Sequence, residues 1–187
     1  MSQKTVVIYG AATMGQELVQ AVATAGCEVI LIDHSEEKLK KGLQKVEASL
    51  DAEIARWGLT SGEKRAIMSR IKGSTDIREA AKGWMVIETL KETLEVKRQL
   101  FKELDATCKP ATIIASNSAT ISITEIASEC KYPERTIAMH FQSPIPKVPL
   151  VEISRGLKTS EETFEAAVRF AKMINKTVVS VYDCPGF

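Results

Sequence analysis

The stretch Thr5–Tyr9 (TVVIY) runs directly into Gly10-Ala11-Ala12-Thr13-Met14-Gly15, and apolar Leu18, Val19, Val22 and Ala23 follow at helical spacing. A β-branched run, a glycine turn and an amphipathic segment predict strand, tight turn and helix in that order. Cys27–Asp33 (CEVILID) then reads as a second strand that ends on an acid. The same alternation continues to the end of the chain. It predicts an α/β fold, with a largely parallel sheet and helices on both faces.

Ser35 to about Ile71 reads as helical, broken at Trp57–Glu63 (WGLTSGE), where Thr60 or Ser61 is the expected N-cap and Glu63 lies in the first turn. Trp84–Glu88 is the next strand and Glu92–Cys108 the next helix. Ala111–Ser116 is a strand, and Ser122 with Glu125 fits a capping box for a short helix after it. Strands at Thr136–Phe141 and Leu150–Ser154, a capped helix from Ser160 to Ile174 and a last strand at Thr177–Asp183 complete the series. No repeat, low-complexity segment or linker interrupts it, so residues 1–187 are expected to form one domain.

Composition narrows the possible partners. Lysine plus arginine (25) nearly balance aspartate plus glutamate (24), which argues against nucleic acid or an anionic membrane. Cys27, Cys108, Cys130 and Cys184 form no C-x-x-C pair and have no histidines at metal spacing, so reduced thiols and no metal site are expected. The opening MSQKTVVIYG lacks the basic and apolar regions of a signal peptide. No apolar run approaches the roughly 20 residues that span a bilayer. A cytoplasmic protein is the expectation.

Gly10, Ala12 and Gly15 occupy the three positions of a G-x-G-x-x-G dinucleotide turn, with Ala12 in place of the middle glycine. The methyl of Ala12 is expected to crowd a phosphate while leaving the amide donors of the turn, Thr13 and Met14 included, in place. A glycine turn of this kind also serves packing alone. Asp33 ends the second strand, where an acid accepts hydrogen bonds from the adenosine ribose. A carboxylate there repels a 2′-phosphate and points to NAD; the alternative is an acid that caps the following helix.

Of the two histidines, His34 follows Asp33 in a loop and reads as solvated. His140 ends a strand, at the edge where parallel sheets place their ligands. Glu152 lies among Leu150, Val151 and Ile153 on the next strand, where a buried acid needs a partner. An imidazole beside it would have its tautomer fixed and its basicity raised, as a general base near neutral pH requires. A structural histidine is the alternative. Ala115–Thr120 (ASNSAT) gathers hydroxyls and an amide after a strand. There Asn117 and Ser118 can hydrogen-bond a nicotinamide carboxamide or a substrate hydroxyl, or simply cap the next helix.

With these residues in place, the chain resembles the N-terminal NAD-binding domain of the L-3-hydroxyacyl-CoA dehydrogenase family, from VVIYGAATMG to DCPGF. The resemblance is strongest in ETLEVKRQLFKELD, IIASNSATISITEIA, PERTIAMHFQSPIP and LVEISRG. It implies a Rossmann-type, doubly wound fold and NAD-dependent oxidation of an L-3-hydroxyacyl-CoA, such as 3-hydroxybutyryl-CoA, in fatty acid β-oxidation. It implies that His140 takes the proton of the 3-hydroxyl, that Glu152 orients His140, and that Asp33 holds the adenosine ribose. Glu92 and Lys97 would contact the cofactor.

Three departures stand out. The family's SNTS reads SNSA, which puts Ala119 where a serine meets cofactor and substrate hydroxyl, with Ser118 and Thr120 as flanking substitutes. Its HFFNP reads HFQSP, which puts Ser143 where an asparagine contacts the nicotinamide end. Its CoA-contacting lysine and serine fall near Val46 and Glu53. The family also closes its active site with a helical C-terminal domain that forms the dimer. Residues 1–187 resemble only the cofactor domain, so this chain alone is expected to bind NAD(H) weakly, to turn over acyl-CoA poorly and to dimerise only with that domain. Two other readings fit these departures: a non-catalytic NAD-binding module, and a dehydrogenase of a free 3-hydroxy acid or diketone.

Overall fold

The computed structural model describes residues 5–186; Met1–Lys4 and Phe187, at the ends of MSQKTVVIYG and DCPGF, lie outside the described residues. Eight strands form one sheet: β1 (Thr5–Tyr9), β2 (Glu28–Ile32), β3 (Ile71–Ser74), β4 (Met85–Glu88), β5 (Ile113–Ser116), β6 (Thr136–Phe141), β7 (Leu150–Ser154) and β8 (Thr177–Val181). Their order is β3-β2-β1-β4-β5-β6-β7-β8. The first six run parallel, β7 is antiparallel to β6, and β8 is parallel to β7. The helices are α1 (Thr13–Thr24), α2 (Glu36–Ala55), α3 (Ser61–Ser69), α4 (Leu94–Thr107), α5 (Ile123–Ile126) and α6 (Glu161–Met173).

The period-2 alternation of a strand divides the core in two. Val6 and Ile8 join Leu18, Val22, Met139 and Phe170 on one face, while Val7 joins Val86, Phe101, Leu104 and Ile126 on the other. Helices therefore cover both faces, as a doubly wound fold requires. Strand order reverses between β1 and β4, and the crevice at their carboxyl ends is the switch point where such sheets hold ligands. Among the described residues no helix is long and apolar enough to cross a membrane.

Three local expectations meet different outcomes. Thr60, not Ser61, is the N-cap of α3, and its capping box with Glu63 is complete. The helix expected to run to Ile71 ends at Ser69, and Ile71–Ser74 (IKGS) adds β3 at the sheet edge, where Lys72 and Gly73 are exposed and leave no apolar alternation to read. The Ser122–Glu125 box does not form, because a distant carboxylate has taken the position. Asp183, after β8, accepts from Ser122 Oγ (2.7 Å), Ile123 N (2.9 Å), Thr124 N (3.1 Å) and Thr124 Oγ1 (2.6 Å). Local pattern cannot reveal a cap supplied from some sixty residues away.

Candidate functional site

The turn after β1 is shaped by what it cannot hold. Gly10 has φ +113°, a conformation that L side chains rarely adopt, and a Cβ there would lie 2.8 Å from Thr89 Oγ1. A Cβ on Gly15 would overlap the Gly10 carbonyl oxygen outright, so α1 packs on bare backbone. Ala12 is different. Its φ of −78° and ψ of −177° are ordinary extended backbone, and it is exposed at the mouth of the turn. Glycine is not needed there for the fold, and the expected crowding by the methyl concerns a ligand only.

The helix starts explain what the turn can bind. The first N–H groups of an α-helix have no intrahelical partner and carry partial positive charge. Ser35, Thr60 and Ser160 satisfy them with side chains in α2, α3 and α6, each with glutamate in the first turn. The start of α1 has neither a side-chain cap nor an acid. Its bare donors and glycine-lined approach fit a pyrophosphate. Asp33, at the end of β2, is 4% exposed and accepts from Ala11 N (3.0 Å) and Ser35 N (3.0 Å). It is therefore tied to the turn itself, and Ser35, not Asp33, caps α2. His34 is exposed, as read.

The loop after β5 is organised by charge. Glu92 Oε1 accepts from Ser118 Oγ, Ala119 N (3.0 Å), Thr120 N (3.0 Å) and Thr120 Oγ1 (3.1 Å). Burial alone would raise its carboxyl. The hydrogen bonds from Ser118 and Thr120 and the charge of Lys97 outweigh that and bring it down to about 2. Both hydroxyls that flank Ala119 are thus directed to Glu92. Ser118 is also fully buried, with its hydroxyl engaged by Glu92. Asn117 accepts from Phe141 N through its Oδ1 (2.9 Å) and so ties the loop to β6.

Lys97 is enclosed behind this loop. It is 1% exposed, with Nζ 2.7 Å from Glu88 Oε1 and 3.2 Å from Glu92 Oε2. The ammonium also donates to the Leu90 carbonyl (3.3 Å). Glu88 is fully buried and receives Ser116 Oγ as well (2.7 Å). Burial raises its carboxyl, against the pull of Lys97 and the hydrogen bonds. Glu88 was not singled out in the sequence, although an acid closing the apolar run MVIE carries the same signal that marked Glu152.

His140 and Glu152 are direct cross-strand partners on β6 and β7. Their side chains meet at Nδ1···Oε2 2.7 Å, with 22% and 19% exposure. Antiparallel pairing at this one place in the sheet brings an acid beside the histidine at the carboxyl edge of β6. Three residues on, Ser143 Oγ donates to Glu17 Oε1 of α1 (2.8 Å). Val46, expected near a CoA contact, is 1% exposed and packs in the core, while Glu53 is half-buried. Among the described residues no group of three or more His, Cys, Asp or Glu is placed to hold a metal ion.

A glycine turn at a switch point, a strand-end acid and a histidine–carboxylate pair across the same crevice define a dinucleotide-binding domain of the dehydrogenase type. Residues 5–184 match the family described as 3-hydroxyacyl-CoA dehydrogenase, NAD binding domain, and the chain belongs to that family. It is 38% identical over 187 residues to a probable 3-hydroxybutyryl-CoA dehydrogenase of Bacillus subtilis, covering all of this chain and 65% of that protein. It is 36% identical over 184 residues to the 3-hydroxyadipyl-CoA dehydrogenase of Escherichia coli, covering 98% of this chain and 39% of that protein. The crystal structure of (S)-3-hydroxybutyryl-CoA dehydrogenase from Ralstonia eutropha superposes with a TM-score of 0.96 at 39% identity, over all of this chain and 66% of that one. The chain thus spans less than two thirds of the B. subtilis relative, and NAD is the cofactor of its family.

Proposed function

We propose that this chain is the cofactor domain of an NAD-dependent dehydrogenase of 3-hydroxyacyl-CoA thioesters, and that it carries the proton-transfer pair. The observation that carries this reading is the His140–Glu152 contact at 2.7 Å, at the edge of the crevice that begins with Gly10. When bound, NAD⁺ supplies the hydride acceptor. Thr13, Met14 and Gly15 offer backbone donors to its pyrophosphate, and Asp33 stands where the adenosine ribose would lie. Asp33 also opposes a 2′-phosphate. Glu152 holds the Nδ1 side of His140, so a proton leaving the substrate 3-hydroxyl goes to Nε2. The imidazolium that forms stays beside the Glu152 carboxylate, which stabilises its charge. Ala119 brings no hydroxyl to this site, so the substrate hydroxyl depends on His140 more than it would beside a serine.

One observation favours a second reading. Val46 is enclosed in the core, so its position on α2 offers a CoA chain no polar contact. A free 3-hydroxy acid or a diketone would not need one. The test is steady-state formation of NADH by the protein as encoded in full, with 3-hydroxybutyryl-CoA and with free 3-hydroxybutyrate. A larger kcat/KM for the thioester supports the proposal; a larger value for the free acid contradicts it and selects the second reading.

A further inference from the structure

The strongest unused feature of the site is a carboxylate on the nucleotide-turn helix that reaches across to the histidine strand. Glu17 lies two residues after Gly15. Its Oε1 accepts from Ser143 Oγ (2.8 Å) and its Oε2 from Ile145 N (2.9 Å), both in the connection between β6 and β7. An ionised carboxylate can only accept, whereas a hydroxyl has one hydrogen to give and lone pairs with which to accept. Glu17 therefore takes the hydroxyl hydrogen of Ser143 and leaves that oxygen with acceptor capacity alone. Ser143 itself is exposed.

The sheet order says which ligand atoms this oxygen would meet. A dinucleotide spans the switch point between β1 and β4, with its adenosine on the β2 side, marked by Asp33, and its other half over β4 to β6. Ser143 follows β6 and is tied to the helix that carries the turn, so it borders that second half. We infer that Glu17 is a positioning residue that holds Ser143 as a hydrogen-bond acceptor for the carboxamide N–H₂ of the nicotinamide. This rests on the NAD reading above. Glu17 is not the loop's sole anchor. Ile145 is 1% exposed, and the buried Lys176 ammonium donates to the carbonyls of Ile145 and Val148 from the other side.

The test compares three ligands by fluorescence or calorimetric titration of the protein as encoded in full. They are NADH, the reduced 3-acetylpyridine analogue, whose acetyl group has no N–H₂, and ADP-ribose, which lacks the ring. The wild-type protein is expected to prefer NADH to the acetyl analogue by about fivefold, the value of one hydrogen bond. Glu17→Gln keeps the shape but lets an amide donate to Ser143, turning that hydroxyl outward as a donor. It is expected to abolish the preference and to leave ADP-ribose affinity unchanged. Ser143→Ala is expected to do the same, and Glu17→Gln in that background to add nothing. The inference is overturned if the NADH-to-acetyl ratio survives Glu17→Gln, or if ADP-ribose weakens in parallel, which marks a merely structural role. Wild-type protein that binds ADP-ribose but not NADH overturns the inference alone. Protein that binds neither overturns the NAD reading with it.

Discussion

Two loops at the carboxyl edge of the sheet, one after β1 and one after β5, are built on opposite principles. The turn after β1 is shaped chiefly by steric exclusion: Gly10 and Gly15 leave backbone against backbone, and Asp33 from β2 ties down Ala11 N. The loop after β5 is held by one carboxylate, with Glu92 gathering donors from Ser118, Ala119 and Thr120. The first arrangement keeps its amides pointed outward for an anion. The second turns its hydroxyls inward and spends them on its own shape. The turn is thus intolerant of added atoms, whereas the loop depends on the charge of one carboxylate.

The largest effect is expected where the steric rule is broken. Gly15→Ala places a methyl on the Gly10 carbonyl, and neither backbone segment can yield cheaply. A loss of about 3 kcal/mol in unfolding free energy is expected, at the upper end of overpacking costs, together with loss of NADH binding. Denaturant unfolding with NADH titration checks both. Unchanged stability would mean that α1 packs more loosely than its contacts indicate.

A smaller effect is expected from the charge-held loop. Glu92→Gln keeps an acceptor but removes the charge, and the site is partly exposed, so solvent screens it to about 1 kcal/mol. The linkage has a definite sign. The folded carboxyl lies at about 2, below its ordinary 4.5, so its contribution is complete above 4.5 and is lost as pH falls from there toward 2. The difference in stability between wild type and Glu92→Gln should therefore shrink over that acid range. A difference that stays constant from neutral pH to pH 2 rules out the carboxylate as the organiser.

The smallest effect belongs to Ala12→Gly. Ala12 is in extended backbone and exposed, so removing its methyl leaves the turn intact. NADH affinity should rise about two- to threefold, with a slight gain from glycine as the better N-cap. No tightening, measured by the same titration, means that the methyl does not reach the phosphates.

This contrast also explains what could be read before the fold was known. Gly10, Gly15 and Asp33 announce themselves because a dinucleotide turn is a local object, in which spacing encodes geometry. His140 and Glu152 were legible as candidates, since each sits at an unusual place on a strand. Their contact needed the antiparallel register of β6 and β7, which periodicity does not state. Glu92 and Lys97 came only through family resemblance, and the burial of Lys97 gives it a structural partner in Glu88 that no spacing suggests. Glu17 and Asp183 were invisible for a simple reason: their hydrogen-bond partners lie 126 and 61 residues away. β3 was missed because an edge strand with exposed Lys72 and Gly73 shows no apolar alternation.

The proton-transfer role of His140 is tested most directly by His140→Gln in the protein as encoded in full. NADH affinity and turnover of 3-hydroxybutyryl-CoA should be measured side by side. The amide fills the same space but cannot take a proton, so turnover should fall by about 10²–10⁴-fold while NADH affinity stays within about twofold. Turnover that survives the substitution would show that His140 and Glu152 are a structural pair and that the proton leaves by another route.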